Sequence, residues 1–130
     1  MKGYSVSFVG AGRLAGILCR QLFNSGVHID NVVSRSERDG KILADSCNAQ
    51  WSDKYVFAES TDIIIVAVPD RNLKSVLLKI KCSTQTIVAH TAGSIGLDIF
   101  PGKIIRKGVF YPLQTFSFDR QISFKDLPVF

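Results

Sequence analysis

Short apolar runs alternate along this chain with stretches whose apolar residues recur every three or four positions. That is the pattern of strands interleaved with helices, which builds a parallel sheet. Ser5 to Val9 reads as a first strand and leads into a glycine turn. Leu14, Ile17, Leu18, Leu22 and Phe23 follow at helical spacing, and Asn24-Ser25-Gly26 stops that helix. Ile29 to Val33 is the second strand. Ser34-Arg35-Ser36-Glu37 has the spacing of a capping box and opens a second helix, running to about Cys47. Ala49 to Asp53 is a short, weak strand.

Asp62 to Val68 is an unbroken, β-branched run, as expected of a strand buried on both faces. Pro69 ends it, and Asp70 is placed to cap a helix carrying Leu73, Val76, Leu77 and Ile80 on one face. Thr86 to Ala89 is a fifth strand, ending at His90-Thr91-Ala92-Gly93-Ser94. A helical turn near Leu97 to Phe100 stops at Pro101-Gly102. Gly108 to Phe110 is a sixth strand, broken by Tyr111-Pro112, and Leu127 to Phe130 starts another. Nothing between these elements reads as a linker. The expectation is a single α/β domain over residues 1–130, with a doubly wound, mainly parallel sheet.

Composition narrows this picture. A chain of 130 residues has room for one hydrophobic core, and 46% hydrophobic with 21% charged residues is the balance of a folded globular domain. The longest apolar run, Ile63 to Val68, falls far short of the roughly 18 residues of a membrane span. Met1-Lys2-Gly3-Tyr4 has no apolar core or cleavage site of a secretory leader. Cys19, Cys47 and Cys82 are widely spaced, with no C-x-x-C pair and no nearby histidine, which speaks for a reducing cytoplasm rather than a disulfide or zinc framework. The net charge of +5 comes from Lys and Arg scattered singly. It predicts a phosphate-bearing small ligand, with neither nucleic acid nor membrane as a partner.

Candidate chemistry begins at Gly10-Ala11-Gly12-Arg13-Leu14-Ala15, a G-x-G-x-x-A turn between a predicted strand and a predicted helix. Gly10 permits the tight turn, Gly12 lets a pyrophosphate approach the backbone, and Ala15 keeps the helix close to the sheet. The free N–H groups of the helix start then hold the anion. The end of the second strand selects the dinucleotide. An NAD site places Asp or Glu there, whereas this chain has Ser34-Arg35-Ser36, a guanidinium and two hydroxyls suited to a 2′-phosphate. A methyltransferase would also want an acid at that place.

Val68 and Pro69 close the central strand at the edge where ligands of open α/β sheets bind. Thr91, Gly93 and Ser94 lie beyond the fifth strand on the same edge, as nicotinamide or substrate contacts or as plain turn residues. His90 reads either as a hydrogen-bonded strand-end residue or as the candidate catalytic group, able to bind or protonate a substrate carbonyl. His28 falls at the opposite edge, in solvent. Tyr111-Pro112-Leu113-Gln114-Thr115-Phe116 reads equally as a pocket floor or as core packing. Nucleophile-elbow, P-loop and metal-ligand signatures are missing from the sequence.

On Val9 to Ala15, Ser34 to Ser36, Ile64 to Asp70 and His90 to Ser94, the chain resembles the 6-phosphogluconate-dehydrogenase-like Rossmann proteins. Within them it is similar to the pyrroline-5-carboxylate reductase and deazaflavin-dependent NADP reductase relatives. Val109 to Phe116 resembles a bacterial branch of two-domain Rossmann-like oxidoreductases whose substrate is unknown. The resemblance implies NADP(H) at Gly10 to Ala15 and Arg35, with nicotinamide near Val68, Pro69 and the Thr91–Ser94 turn. It also implies a following helical domain that dimerises and completes the active site, so turnover is not expected of these residues alone. The expected function is positioning NADP(H) for hydride transfer with a small carbonyl or imine. The alternative is a non-catalytic dinucleotide sensor or regulatory module.

Overall fold

The computed structural model describes residues 3–110. In chain order the elements are β1 (Ser5–Val9), α1 (Arg13–Asn24), β2 (His28–Val33), α2 (Glu37–Ser46), β3 (Gln50–Ser52), β4 (Ile63–Val66), α3 (Asp70–Lys79), β5 (Ile87–His90) and β6 (Arg106–Val109). The six strands form one parallel sheet in the order β3-β2-β1-β4-β5-β6. The expected doubly wound Rossmann-type sheet is therefore present, and the chain reverses its direction of travel across the sheet between β1 and β4.

Alternation along the strands explains the two layers. Ile63 and Ile65 pack with Val6, Phe8, Ile29 and Val32 under Leu18 and Cys19 of α1 and Leu43 and Ala44 of α2. Ile64 and Val66 point the other way, against Leu73, Val76 and Leu77 of α3. A strand whose four residues are all buried must be apolar throughout, and Ile63–Val66 is. Each such isoleucine contributes about 1.5–3 kcal/mol of burial.

Several boundaries shift from those predicted, each for a local reason. β4 ends at Val66: the Ala67 N–H still bonds the Val9 carbonyl at 2.9 Å, and Ala67 and Val68 then flank the glycine turn. β3 shrinks to Gln50–Ser52 at the sheet edge, and β6 starts earlier, at Arg106. The N-cap of α2 is Ser36, whose Oγ accepts from the Asp39 N–H, rather than Ser34 in the predicted box. Pro69 takes the cap position of α3, and Asp70 becomes its first residue, an acid in the first turn. Ile17, expected on the packed face of α1, is exposed, because Ala15, Leu18 and Cys19 fill that face. Leu97–Phe100 is a hydrogen-bonded turn rather than a helix. The expected break at Tyr111-Pro112, the Tyr111–Phe116 floor and the Leu127–Phe130 strand lie outside the described residues.

Cys19 and Cys47, far apart in sequence, meet between α1 and the end of α2 with their sulfurs 3.5 Å apart. Burial first, and the neighbouring thiol second, push the Cys19 thiol far above its ordinary range. Cys19 is thus held as a protonated thiol, and the two side chains pack as small apolar groups.

Candidate functional site

The carboxyl ends of β1, β2 and β4 open on a cleft of about 490 Å³, in the range of small-ligand pockets. Its floor is Val9 to Gly12. One wall is Ser34 to Ser36 with Asp39, and the other is Val68, Pro69 and the exposed side of α3.

The glycine turn is built for close approach on both sides. Gly10 has φ +113°, donates to the Val33 carbonyl at 2.8 Å, and leaves no room for a Cβ beside the Ala67 carbonyl. Gly12 is the opposite case. Its φ is −76°, and a Cβ there would enter open space in the cleft. Gly12 also caps α1 without a side-chain hydrogen bond, and no acid stands in that helix's first turn. By contrast α2 has Glu37 and Asp39, and α3 has Asp70, at their starts. The positive end of α1 is therefore the one left uncompensated toward the cleft. Ala15 is wholly buried against the sheet, as the motif requires.

The three residues after β2 divide their work. Ser34 is 5% exposed, and its hydroxyl donates to the Ser36 carbonyl at 2.7 Å while accepting from the Trp51 indole N–H at 2.9 Å. The Ser36 hydroxyl caps α2. Arg35 is exposed, lines the cleft and has no hydrogen-bond or ion-pair partner among the described residues. Of the three, the guanidinium is the group left to meet a ligand.

Sequence reasoning missed what positions Ser34. Gly40 brings α2 so close that a Cβ would overlap both the Ser34 hydroxyl and the Trp51 indole. Gly40→Ala should therefore push the indole outward and break the Trp51–Ser34 bond. The gain of about 1 kcal/mol in helix propensity is outweighed by an overpacking cost of about 1–3 kcal/mol. Trp51 is the one tryptophan of the chain, so the expected result is a red-shifted emission together with a lower melting temperature. Unchanged emission would show that the helix yields instead.

The far wall was also missed. Arg71, Ser75 and Lys79 lie four residues apart on α3 and line the cleft, and the Lys79 ammonium sits 5.7 Å from the centre of the Tyr55 ring. This stripe is the polar complement of the Leu73–Val76–Leu77 face, so helical spacing carried the signal. With Arg35, the lining has three cations against the single carboxylate of Asp39. The field in the cleft favours an anion.

Of the predicted residues, Gly10, Ala11, Gly12, Ser34, Arg35, Ser36, Val68 and Pro69 line the cleft together. Arg13 and Leu14 belong to α1 behind the turn, Arg13 exposed and Leu14 packed on the core. Thr91 and Gly93 lie beyond β5 on the same sheet edge but do not line this cleft. His90 is wholly buried, and both of its ring nitrogens are bonded to backbone groups. Among the described residues no cluster of histidine, cysteine or carboxylates is placed to hold a metal ion, and no helix is long and apolar enough to cross a membrane.

Residues 5–93 match the family model described as NADP oxidoreductase, coenzyme F420-dependent. Among solved structures, the chain is similar to a candidate NADP oxidoreductase from Bacteroides fragilis, at 30% identity and a TM-score of 0.72, covering 97% of this chain and 50% of that one. A pyrroline-5-carboxylate reductase from Coxiella burnetii matches at 18% identity and a TM-score of 0.63, over 80% of this chain and 42% of that one. An imine reductase from Myxococcus stipitatus in complex with NADP+ matches at 22% identity and a TM-score of 0.56, over 67% of this chain and 31% of that one. The last two likenesses are of fold. The chain thus spans half, or less, of the length of these proteins. Comparison with curated proteins gave no match.

Proposed function

Because the chain belongs to the family of coenzyme F420-dependent NADP oxidoreductases, we propose that it is the part of such an enzyme that binds NADP(H). The observation that carries this reading is Arg35: a guanidinium with no partner among the described residues, on a cleft whose floor is an open glycine turn. The backbone N–H groups after Gly12 hold the pyrophosphate, and Arg35 pairs with the 2′-phosphate. Ser34 and Ser36 act through the backbone, since their hydroxyls are engaged in fixing the strand end and the helix cap. Val68 and Pro69 form the wall beyond which the nicotinamide lies. When bound, the cofactor supplies the hydride.

The substrate we infer is a small carbonyl or imine, the latter in keeping with an imine reductase among the structures of like fold. Val68, Pro69 and Thr91 to Gly96 include no titratable side chain, and His90 behind them presents none of its surface. We infer that the group that moves the substrate proton comes from a helical, dimerising second domain of a cytoplasmic enzyme. The lack of a titratable side chain along Val68, Pro69 and Thr91 to Gly96 favours, as a second reading, a dinucleotide sensor; steady NADPH oxidation by an extended protein separates the two.

Calorimetric titration with NADPH and NADH tests the cofactor reading. Charge-assisted hydrogen bonds are worth about 1.5–3 kcal/mol each, so NADPH should bind at least about ten-fold more tightly than NADH. Arg35→Asp removes the pair and adds a like charge, which should erase or invert that preference while leaving NADH within about three-fold of its original affinity. Added salt should narrow the wild-type preference, because Arg35 is exposed. Equal wild-type affinities for the two cofactors would make Arg35 a mere solvated residue at the start of a helix.

A further inference from the structure

His90 ends β5, in register with Val66 of β4 and Val109 of β6, and has no exposed surface. Its Nδ1 accepts from the Ala92 N–H at 3.0 Å, and its Nε2 faces the Gly96 carbonyl at 2.5 Å. An acceptor Nδ1 must be bare, so the neutral ring carries its proton on Nε2, where a carbonyl waits to receive it. The two contacts thus require one and the same tautomer. The ring also stacks on Phe100, with centroids 5.3 Å apart and planes 30° apart.

The segment after β5 gives this arrangement its importance. Residues 91–100 form neither helix nor strand, and their own backbone bonds close only short turns, Ile95 to Ala92 and Phe100 to Leu97. A segment without ladder bonds needs another anchor to keep one conformation. One imidazole supplies it by joining the residue two positions on and the residue six positions on to the end of a central strand.

We propose that His90 is a positioning residue, which holds the turn carrying Thr91 and Gly93 at the carboxyl edge so that this turn meets the nicotinamide ring. The inference rests on the NADP reading above. It assigns His90 no proton transfer to substrate, because neither ring nitrogen is free to reach one. The ring acts through the backbone of the turn, at the nicotinamide end of the site and not at the adenosine end, where Arg35 stands.

The test compares NADPH with 2′-phospho-ADP-ribose, which lacks only the nicotinamide ring. In the wild type NADPH should bind at least about five-fold more tightly, and that ratio isolates the contacts made to the ring. In His90→Asn an amide oxygen stands near the Nδ1 position and restores only the Ala92 bond. In His90→Gln the amide nitrogen stands near Nε2 and restores only the Gly96 bond. Both variants should bring the ratio to within about two-fold of unity while leaving the affinity for 2′-phospho-ADP-ribose unchanged within about two-fold. A ratio unchanged in both variants, or an equal loss for both ligands, overturns the inference and leaves the NADP reading intact. Failure of the wild type to bind either ligand overturns the NADP reading, and the inference with it. Should both variants fail to fold, nitrogen NMR of the wild-type imidazole decides. His90 should show a protonated ε2 and a bare δ1 nitrogen, whose signals move with NADPH and not with 2′-phospho-ADP-ribose. Signals that respond alike to both ligands reject the inference.

Discussion

Replacing Gly10 with alanine should destabilise the protein by about 3–5 kcal/mol even without any ligand. Two costs combine at this position. A φ of +113° lies where side chains are rarely tolerated, at about 1–3 kcal/mol. The new Cβ would also overlap the Ala67 carbonyl, which is backbone at the end of β4 and cannot rotate away. Overpacking of this kind costs a further 1–3 kcal/mol or so. Relief by moving Gly10 is opposed by its bond to the Val33 carbonyl and by the Ala67–Val9 bond, which together tie the ends of β1, β2 and β4. Against a total stability of roughly 5–15 kcal/mol, the loss is a large fraction, and the melting temperature should fall by about 15 °C. Calorimetric or circular-dichroism melting of the unliganded protein is the measurement. An unchanged melting temperature would mean that the turn reshapes freely, and the tight-turn role of Gly10 would be lost.

What could be read from the sequence is what short-range periodicity controls. Ile63–Val66 announces a strand buried on both faces because four consecutive β-branched residues have no other economical place. The glycine turn is legible because its three demands, positive φ, open space and close helix packing, fall on Gly10, Gly12 and Ala15, within six residues of one another. Arg35 is legible by the acid that is missing there. The rest depends on contacts across the fold. Ser34 bonds Trp51, seventeen residues on, which no local pattern announces, and Gly40 gives no local sign that an indole lies against it. Helical spacing places Ile17 beside the packed residues, yet the width of the buried stripe depends on how α1 sits on the sheet, and Ile17 falls outside it.

His90 marks the same limit in sharper form. Its residue type and its place at a strand end fit both a proton donor and an anchor, and its bonds to Ala92 and Gly96 depend on the path of the turn rather than on spacing. The wall of Arg71, Ser75 and Lys79 was open to inference from spacing on α3, but its approach to Tyr55 and to the cleft is set by the sheet order.

Gly12→Asp should separate binding from folding most completely. Aspartate is among the best helix N-caps, and Gly12 already has the extended backbone that a cap residue needs. A carboxylate there would bond the free N–H groups of α1 and offset the positive end of a helix that has no acid in its first turn. A Cβ at Gly12 would meet no heavy atom within 4 Å, so the side chain starts into open space. The unliganded variant should therefore melt at the wild-type temperature or a few degrees higher, by roughly the 0.3–1 kcal/mol of such a charge at a helix start. The same carboxylate would occupy the place of the pyrophosphate and repel it. Two unit charges 4 Å apart at an effective dielectric of about 20 repel by about 4 kcal/mol. Even with part of that screened by solvent, the affinity for NADPH should fall at least about a hundred-fold. The loss should be as large for NADH, because the pyrophosphate is common to both cofactors, which distinguishes this variant from Arg35→Asp. Melting curves and titrations with both cofactors on the one protein read every part of the prediction. A variant that keeps its affinity would place the pyrophosphate somewhere other than the start of α1, and one that melts well below the wild type would show that the space before Gly12 is needed by the fold itself.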